Sequence, residues 1–205
     1  DILLATDPDS DRVGVALFDN EKIKILNGNQ LASLIVYYSL KNLDIRKLNK
    51  PPYVVKTIVT TRLIDKIARS FKVKSYSTLT GFKFIAELIN NKNTEKFIAG
   101  GEESFGYLVD DFVRDKDAII SCAYLCEIAN WAKDRGKSLN DILEEIYETY
   151  GLFIEKLYTI KMEGIQGKNK IDEIMEKYRY NPPQTIFGDR VKETLPRSPG
   201  CKAMC

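Results

Sequence analysis

Asp7, Asp9 and Asp11 stand at alternate positions in Thr6-Asp7-Pro8-Asp9-Ser10-Asp11-Arg12, directly after an apolar run. Three carboxylates crowded into one short loop repel each other unless they share a cation. A hard divalent ion, Mg²⁺ first, suits an all-oxygen ligand set and keeps coordination positions open for waters or a phosphate oxygen. The chain contains no histidine, which removes imidazole bases, Ser-His-Asp and Cys-His catalysis and His-containing zinc sites. Chemistry must therefore rest on carboxylates, Lys, Arg, hydroxyls or a hard metal.

Two known templates bear on the aspartates. An EF-hand loop starting at Asp7 fails, because Arg12 and Phe18 occupy the positions that need Gly and Glu. An aspartyl-phosphate phosphatase of the DxD type would use Asp7 as nucleophile and Asp9 as acid and base. Asp11 stands where such enzymes usually carry Thr or Val, and this alternative stays open beside a solvated Asp-rich turn.

Two further loops follow predicted strands, and a charged segment precedes a predicted helix. Gly100-Gly101-Glu102-Glu103-Ser104-Phe105-Gly106 offers close backbone approach at its glycines. Its Glu102 and Ser104, two residues apart, make a clamp for vicinal diols such as those of a sugar. Thr78-Leu79-Thr80-Gly81-Phe82-Lys83 puts Lys83 in the first turn of a predicted helix, where a cation opposes the local dipole and hints at an anion or a proton-transfer task. Arg114-Asp115-Lys116-Asp117 reads equally as a solvated charge cluster, and Arg62 follows another strand in Thr60-Thr61-Arg62.

These loops need a scaffold. The 205 residues are 44% apolar and 29% charged, which suits one or two domains with a sizeable core. A net charge of +2 gives no field that points to nucleic acid or to an anionic membrane. No signal peptide or spanning segment is visible, and the spacing of Cys122, Cys126, Cys201 and Cys205 matches no metal or redox motif. A cytoplasmic location is the expectation.

Hydrophobic patterning predicts a buried strand at Asp1–Thr6 and a hairpin of Val13–Phe18 with Lys22–Leu26. Helices are expected at 30–43, 63–71, 82–90, 117–133 and 139–150, and strands at 53–59, 73–76 and 97–99. After Gly151 a strand at 153–162, a helix at 168–178 and a weak strand at 185–187 follow, with an unpatterned tail from Arg197. This alternation predicts the α/β class: a mixed, mostly parallel sheet flanked by helices on both faces. Such sheets bind ligands beyond the carboxyl ends of their strands, where most of these loops fall. A strand that starts at the first residue belongs to a sheet with further strands upstream, so the chain reads as a piece of a longer protein.

Taken together, the four loops resemble those of the α-D-phosphohexomutases, the phosphoglucomutase/phosphomannomutase superfamily. Thr6–Arg12 is similar to the magnesium loop D-x-D-x-D-R, and Glu102-Glu103-Ser104-Phe105-Gly106 to the sugar-recognition loop. Thr80-Gly81-Phe82-Lys83 and Arg114-Asp115-Lys116-Asp117 resemble the T-G-[FW]-K and R-[DE]-K-D segments. The resemblance, covering roughly residues 1 to 195, implies 1–26 as the end of a second domain, 27–152 as a third and 153–205 as the start of a fourth with its tail. It implies Mg²⁺ on Asp7, Asp9 and Asp11, and Arg12 holding the phosphate environment. Glu102 and Ser104 would lie on sugar hydroxyls, Lys83 in proton transfer, and Lys116 and Arg62 near substrate phosphate. The implied substrate is a hexose phosphate, glucose first and mannose or pentose as alternatives, with a bisphosphorylated sugar as intermediate. The family's phosphoserine loop T-A-S-H-N has no counterpart in a chain without histidine, and its R-x-S-G-T loop is not reached before the divergence at Ser198-Pro199. The isolated chain is therefore expected to be inactive, a non-catalytic sugar-phosphate module being a further alternative.

Overall fold

The alternating pattern at the front of the chain folds as a meander. Strands β1 (Ile2–Thr6), β2 (Val13–Asp19) and β3 (Lys22–Leu26) form a three-stranded antiparallel sheet in that order. Period-two alternation turns Val13, Val15, Leu17 and Leu26 into the core and leaves Leu3, Phe18, Ile23 and Ile25 outward and exposed. The buried strand expected at the first residues is thus a strand but not buried: Leu3 is 63% exposed, because β1 is an edge strand with one face covered. This computed structural model describes residues 2–19, 22–155, 159, 161–186 and 188–191.

Asn27 and Gln30 close a reciprocal capping box that starts helix α1 (Gly28–Lys41), and the helix is buried from Leu31 through Leu40. A second sheet then forms from β4 (Pro52–Thr57), β5 (Lys74–Thr78), β6 (Lys96–Gly101) and β7 (Tyr107–Val109) in the order β5-β4-β6-β7. The first three are parallel and β7 is antiparallel, which matches the mixed, mostly parallel sheet expected. Helices α2 (Leu63–Ser70) and α3 (Phe82–Asn91) are the crossovers. Alternation along β4 splits the interior. Val54 joins a cluster with Leu31, Ile35, Ile64 and Ile67, whereas Tyr53 and Val55 join Phe82, Ile85, Ile89 and Phe97. Helices therefore cover both faces. Helices α4 (Ala118–Lys133), capped by the Asp117 side chain, and α5 (Leu139–Tyr150), capped by Ser138, complete this unit.

Contacts divide the chain into two units, Asp1–Glu155 and Lys156–Cys205. The first holds everything above, and one hydrophobic cluster runs across residue 26, joining Val13, Val15 and Leu17 to Leu31 and Leu34. The second contains helix α6 (Gly164–Tyr180) and the two-residue strands β8 (Thr185–Ile186) and β9 (Asp189–Arg190), paired antiparallel.

Several boundaries move. The strand expected to reach Val59 stops at Thr57, because Thr60 N–H turns back onto the Thr57 carbonyl at 3.1 Å and leaves Ile58 and Val59 exposed. Gly100 and Gly101 belong to a strand rather than to the loop after it, and β7 was not expected at all. No strand forms among the described residues of 153–162, where Ile154 is 80% exposed; β-branched residues need a neighbouring strand to pair with. Phe187 and the tail from Arg197 lie outside the described residues.

Candidate active site

Between β1 and β2 the acidic loop closes on itself. Asp7 N–H reaches the Arg12 carbonyl at 3.3 Å and Ser10 N–H the Asp7 carbonyl at 3.0 Å, with Ser10 in the left-handed region at φ 56°. Asp7 Oδ1 accepts the backbone N–H groups of Asp11 at 3.1 Å and Arg12 at 3.0 Å. Those bonds, Arg12's foremost, hold the Asp7 carboxyl below its ordinary value. One ligand oxygen each from Asp7, Asp9 and Asp11 lies within 4.8 Å of the others. Oxygens that share one small hard cation stand closer than this, so the three carboxylates would draw together to hold a single ion. An all-carboxylate donor set with Asp7 already oriented fits a hard cation.

The glycine-flanked loop is built differently. Glu102 N–H bonds the Gly106 carbonyl at 2.9 Å, closing a tight turn between β6 and β7. A Cβ at Gly101 would meet Gly106 O and Tyr107, and one at Gly106 would run into the Lys116 stem. Phe105 sits in the left-handed region at φ 70°. Glu102 is buried to 5% exposure, and its Oε1 accepts Gly81 N–H at 2.8 Å. Ser104 is half-buried and makes no side-chain hydrogen bond among the described residues.

The two loops are tied together. Val13 N–H, at the start of β2, donates to the Phe105 carbonyl at 3.1 Å, and Ala118 N–H donates to the Ser10 carbonyl at 3.1 Å. Lys116 Nζ lies 2.7 Å from Asp11 Oδ2 and 3.2 Å from Asp115 Oδ1. Burial, the largest single influence on this ammonium, pulls its pKa down, but the bonds to Asp11 and Asp115 outweigh it and the net shift is upward. Asp7, Asp9, Asp11, Glu102, Ser104 and Lys116 therefore belong to one joined pair of loops. Arg12 lies at the edge, its Nε 3.5 Å from Asp11 Oδ1 and its side chain half exposed.

Lys83 and Arg62 stand apart. Lys83 is exposed over the ring of its neighbour Phe84, on a groove of about 500 Å³ shared with Glu87, Asn90 and Arg114. Arg62 is exposed at the start of α2 and lines a separate groove with Asp65 and Arg69. Their backbone segments are tethered to the site, through Gly81 on Glu102 and through Thr60 on Glu103.

Sequence reasoning missed the supports beneath the loop. The Thr57 and Thr60 hydroxyl oxygens stand 2.8 Å apart and 3.2 and 3.0 Å from Glu103 Oε2, so that with one proton each, one donates to the carboxylate and the other to its neighbouring hydroxyl or to the same carboxylate. Asn29 Oδ1 accepts Thr61 N–H at 2.9 Å. Buried Lys56 pairs with Asp65 at 3.4 Å, fixing α2 to β4. Tyr107 donates its hydroxyl to the Gly28 carbonyl at 2.8 Å, and burial pushes that phenol well above its ordinary pKa. A lysine inside the apolar run of β4 was the one visible signal.

The family model for the phosphoglucomutase/phosphomannomutase alpha/beta/alpha domain III matches residues 27–150. Phosphoglucomutases of Staphylococcus aureus strains RF122 / ET3-1 and N315 are 40% identical over 194 residues, covering 94% of this chain and 35% of theirs. The chain thus spans about a third of the length of these relatives. A crystal structure of a candidate phosphomannomutase from Thermus thermophilus superposes with a TM-score of 0.59 at 28% identity, over 74% of this chain and 31% of that one. The Paramecium phosphoglucomutase parafusin in its open form gives 0.58 at 21% identity, over 73% and 24%, and shares the fold. No helix among the described residues is long and apolar enough to cross a membrane. With the family model matching residues 27–150, more than half of the chain, the chain belongs to the phosphoglucomutase/phosphomannomutase family.

Proposed function

We propose that this chain is the metal- and sugar-binding part of a cytoplasmic mutase that interconverts hexose 1-phosphates and 6-phosphates, glucose first. The observation that carries the reading is the junction of the acidic loop with the glycine-flanked loop through Val13 on Phe105 and Lys116 on Asp11. Relatives named phosphoglucomutase at 40% identity support glucose over mannose or a pentose.

In this reading Asp7, Asp9 and Asp11 hold Mg²⁺, which when bound supplies positive charge beside the phosphoryl group in transfer. Glu102 keeps Oε1 on Gly81 and offers Oε2 to a sugar hydroxyl, with Ser104 as its partner two residues on. Buried and held by a neutral donor, Glu102 meets the sugar in a fixed position, which lowers the cost of ordering it on binding. Arg12 and Lys116 face the phosphate environment. Lys83 and Arg62 would act from the cleft wall, Lys83 moving a proton and Arg62 holding phosphate. The phosphoryl carrier, a phosphoserine, and the rest of the phosphate grip would come from domains outside this chain, with a bisphosphorylated sugar passing between the two states. Residues 1–26, 27–152 and 153–205 would then be the end of domain 2, domain 3 and the start of domain 4.

Assay of glucose 1-phosphate conversion tests this directly. The 205-residue chain alone is expected to give no interconversion. In the full-length polypeptide, Asp7→Asn with Asp9→Asn is expected to abolish Mg²⁺-dependent turnover. Wild-type rates in that variant would remove the metal assignment.

A further inference from the structure

We infer that Lys116 is the resident counter-cation of the acidic loop, and that a divalent ion entering the loop must take Asp11 away from it. The inference rests on the reading of that loop as a magnesium site and adds a component to it: an internal competitor for one of the ligands.

Lys116 is held along its whole length, its tip by Asp11 and Asp115. Its backbone neighbours are fixed to both loops, Asp117 N–H on the Tyr107 carbonyl at 3.0 Å and Ala118 N–H on the Ser10 carbonyl at 3.1 Å. Its stem lies so close to Gly106 that a Cβ there would run into Cδ and stand 2.9 Å from Cγ. Nζ is 5.6 Å from the Phe82 ring centroid, and the side chain is only 13% exposed. The ammonium ends 2.7 Å from Asp11 Oδ2, on one of the two oxygens this carboxylate could offer a metal.

Two cations on one carboxylate stand a few ångströms apart and repel strongly where water is partly excluded. Magnesium, with twice the charge and a demand for close oxygen contact, is the stronger claimant when Asp7 and Asp9 add their oxygens. The ammonium then leaves Asp11. Because its stem stays clamped at Gly106, it remains beside the Glu102–Gly106 loop and is available to an anionic group of the sugar phosphate. Filling the acidic loop and arming the sugar loop become one linked event, and by reciprocity an anion that draws Lys116 away favours the metal.

Mn²⁺ binding to the 205-residue chain, followed by electron paramagnetic resonance, tests this without any turnover. Lys116→Met keeps the packed stem and removes the charge, and is expected to bind Mn²⁺ about tenfold more tightly than wild type, as loss of a competing cation would give. Lys116→Gln is expected to match it, and Lys116→Arg to stay near wild type. Lys133→Met, at the far end of α4 about 22 Å from the helix start, controls for net charge and is expected to change nothing. Equal or weaker binding by both neutral variants, or the same gain from Lys133→Met, overturns the competition while leaving the metal site standing. If neither wild type nor Lys116→Met binds Mn²⁺, the metal reading fails and this inference falls with it.

Discussion

The acidic loop and the glycine-flanked loop are neighbours built on opposite principles. In the first, Asp9 is exposed, Asp7 and Asp11 are half-buried, and shape comes from amide groups on one carboxylate and an ammonium on another. In the second, backbone lies against backbone at Gly28 and Gly101, the Lys116 stem lies against Gly106, and Glu102 is buried on a neutral donor. The first loop is therefore adjustable by ions and pH, whereas the second is set by packing. In the proposed function, a site that accepts and releases charge while gripping one sugar in two orientations would benefit from that division.

The sharpest way to break the contrast is Gly28→Ala. Its Cβ would drive into the Glu103 carbonyl, whose carbon lies only 2.6 Å away, and neither backbone can yield cheaply. Urea unfolding is expected to show a loss of about 3 kcal/mol, as overpacking at a closed site does. A loss near zero would mean the loop is softer than its contacts state. Next comes Glu102→Ala, which leaves the Gly81 N–H without its acceptor. The same measurement is expected to give about 1 kcal/mol, the low end of the cost of an orphaned donor, because Gly81 is only half-buried.

The smallest effect is confined to the acidic loop. The Asp7 pKa is depressed in the fold, so its carboxylate contributes to stability above the ordinary value of 3.8, and that contribution is lost as pH falls through the lower folded value. An NMR titration below pH 3.8 should shift the Asp11 and Arg12 amides together. Amides that stay put through that range would remove Asp7 as the organiser of the loop.

Much of the fold was legible because it rests on local patterning. The 3.6-residue spacing of Leu31, Leu34, Ile35 and Tyr38 marks α1, and the alternation of Val13, Val15 and Leu17 marks β2. Ile58 and Val59 misled, since a β-branched run continues in sequence after the Thr57–Thr60 turn has ended the strand. β7 escaped because three residues after a glycine carry no period, and Gly100 and Gly101 read as loop although close approach to Val55 and Gly106 keeps them in β6. The acidic trio and Glu102 were visible by residue type and spacing. The pairing of Lys116 with Asp11 was not, because it joins segments more than a hundred residues apart that only the packing of α4 against the first sheet brings together. In Arg114-Asp115-Lys116-Asp117 the local partners mask the distant one.

Phe105 holds a backbone angle that most side chains avoid, and its carbonyl faces the amide that opens β2. Swapping this loop between relatives to alter sugar preference would thus transplant part of the hairpin's anchoring as well. A graft that kept Glu102 and Ser104 but lost the left-handed turn at position 105 would carry the proposed recognition groups into a scaffold whose neighbouring strand had lost its starting point.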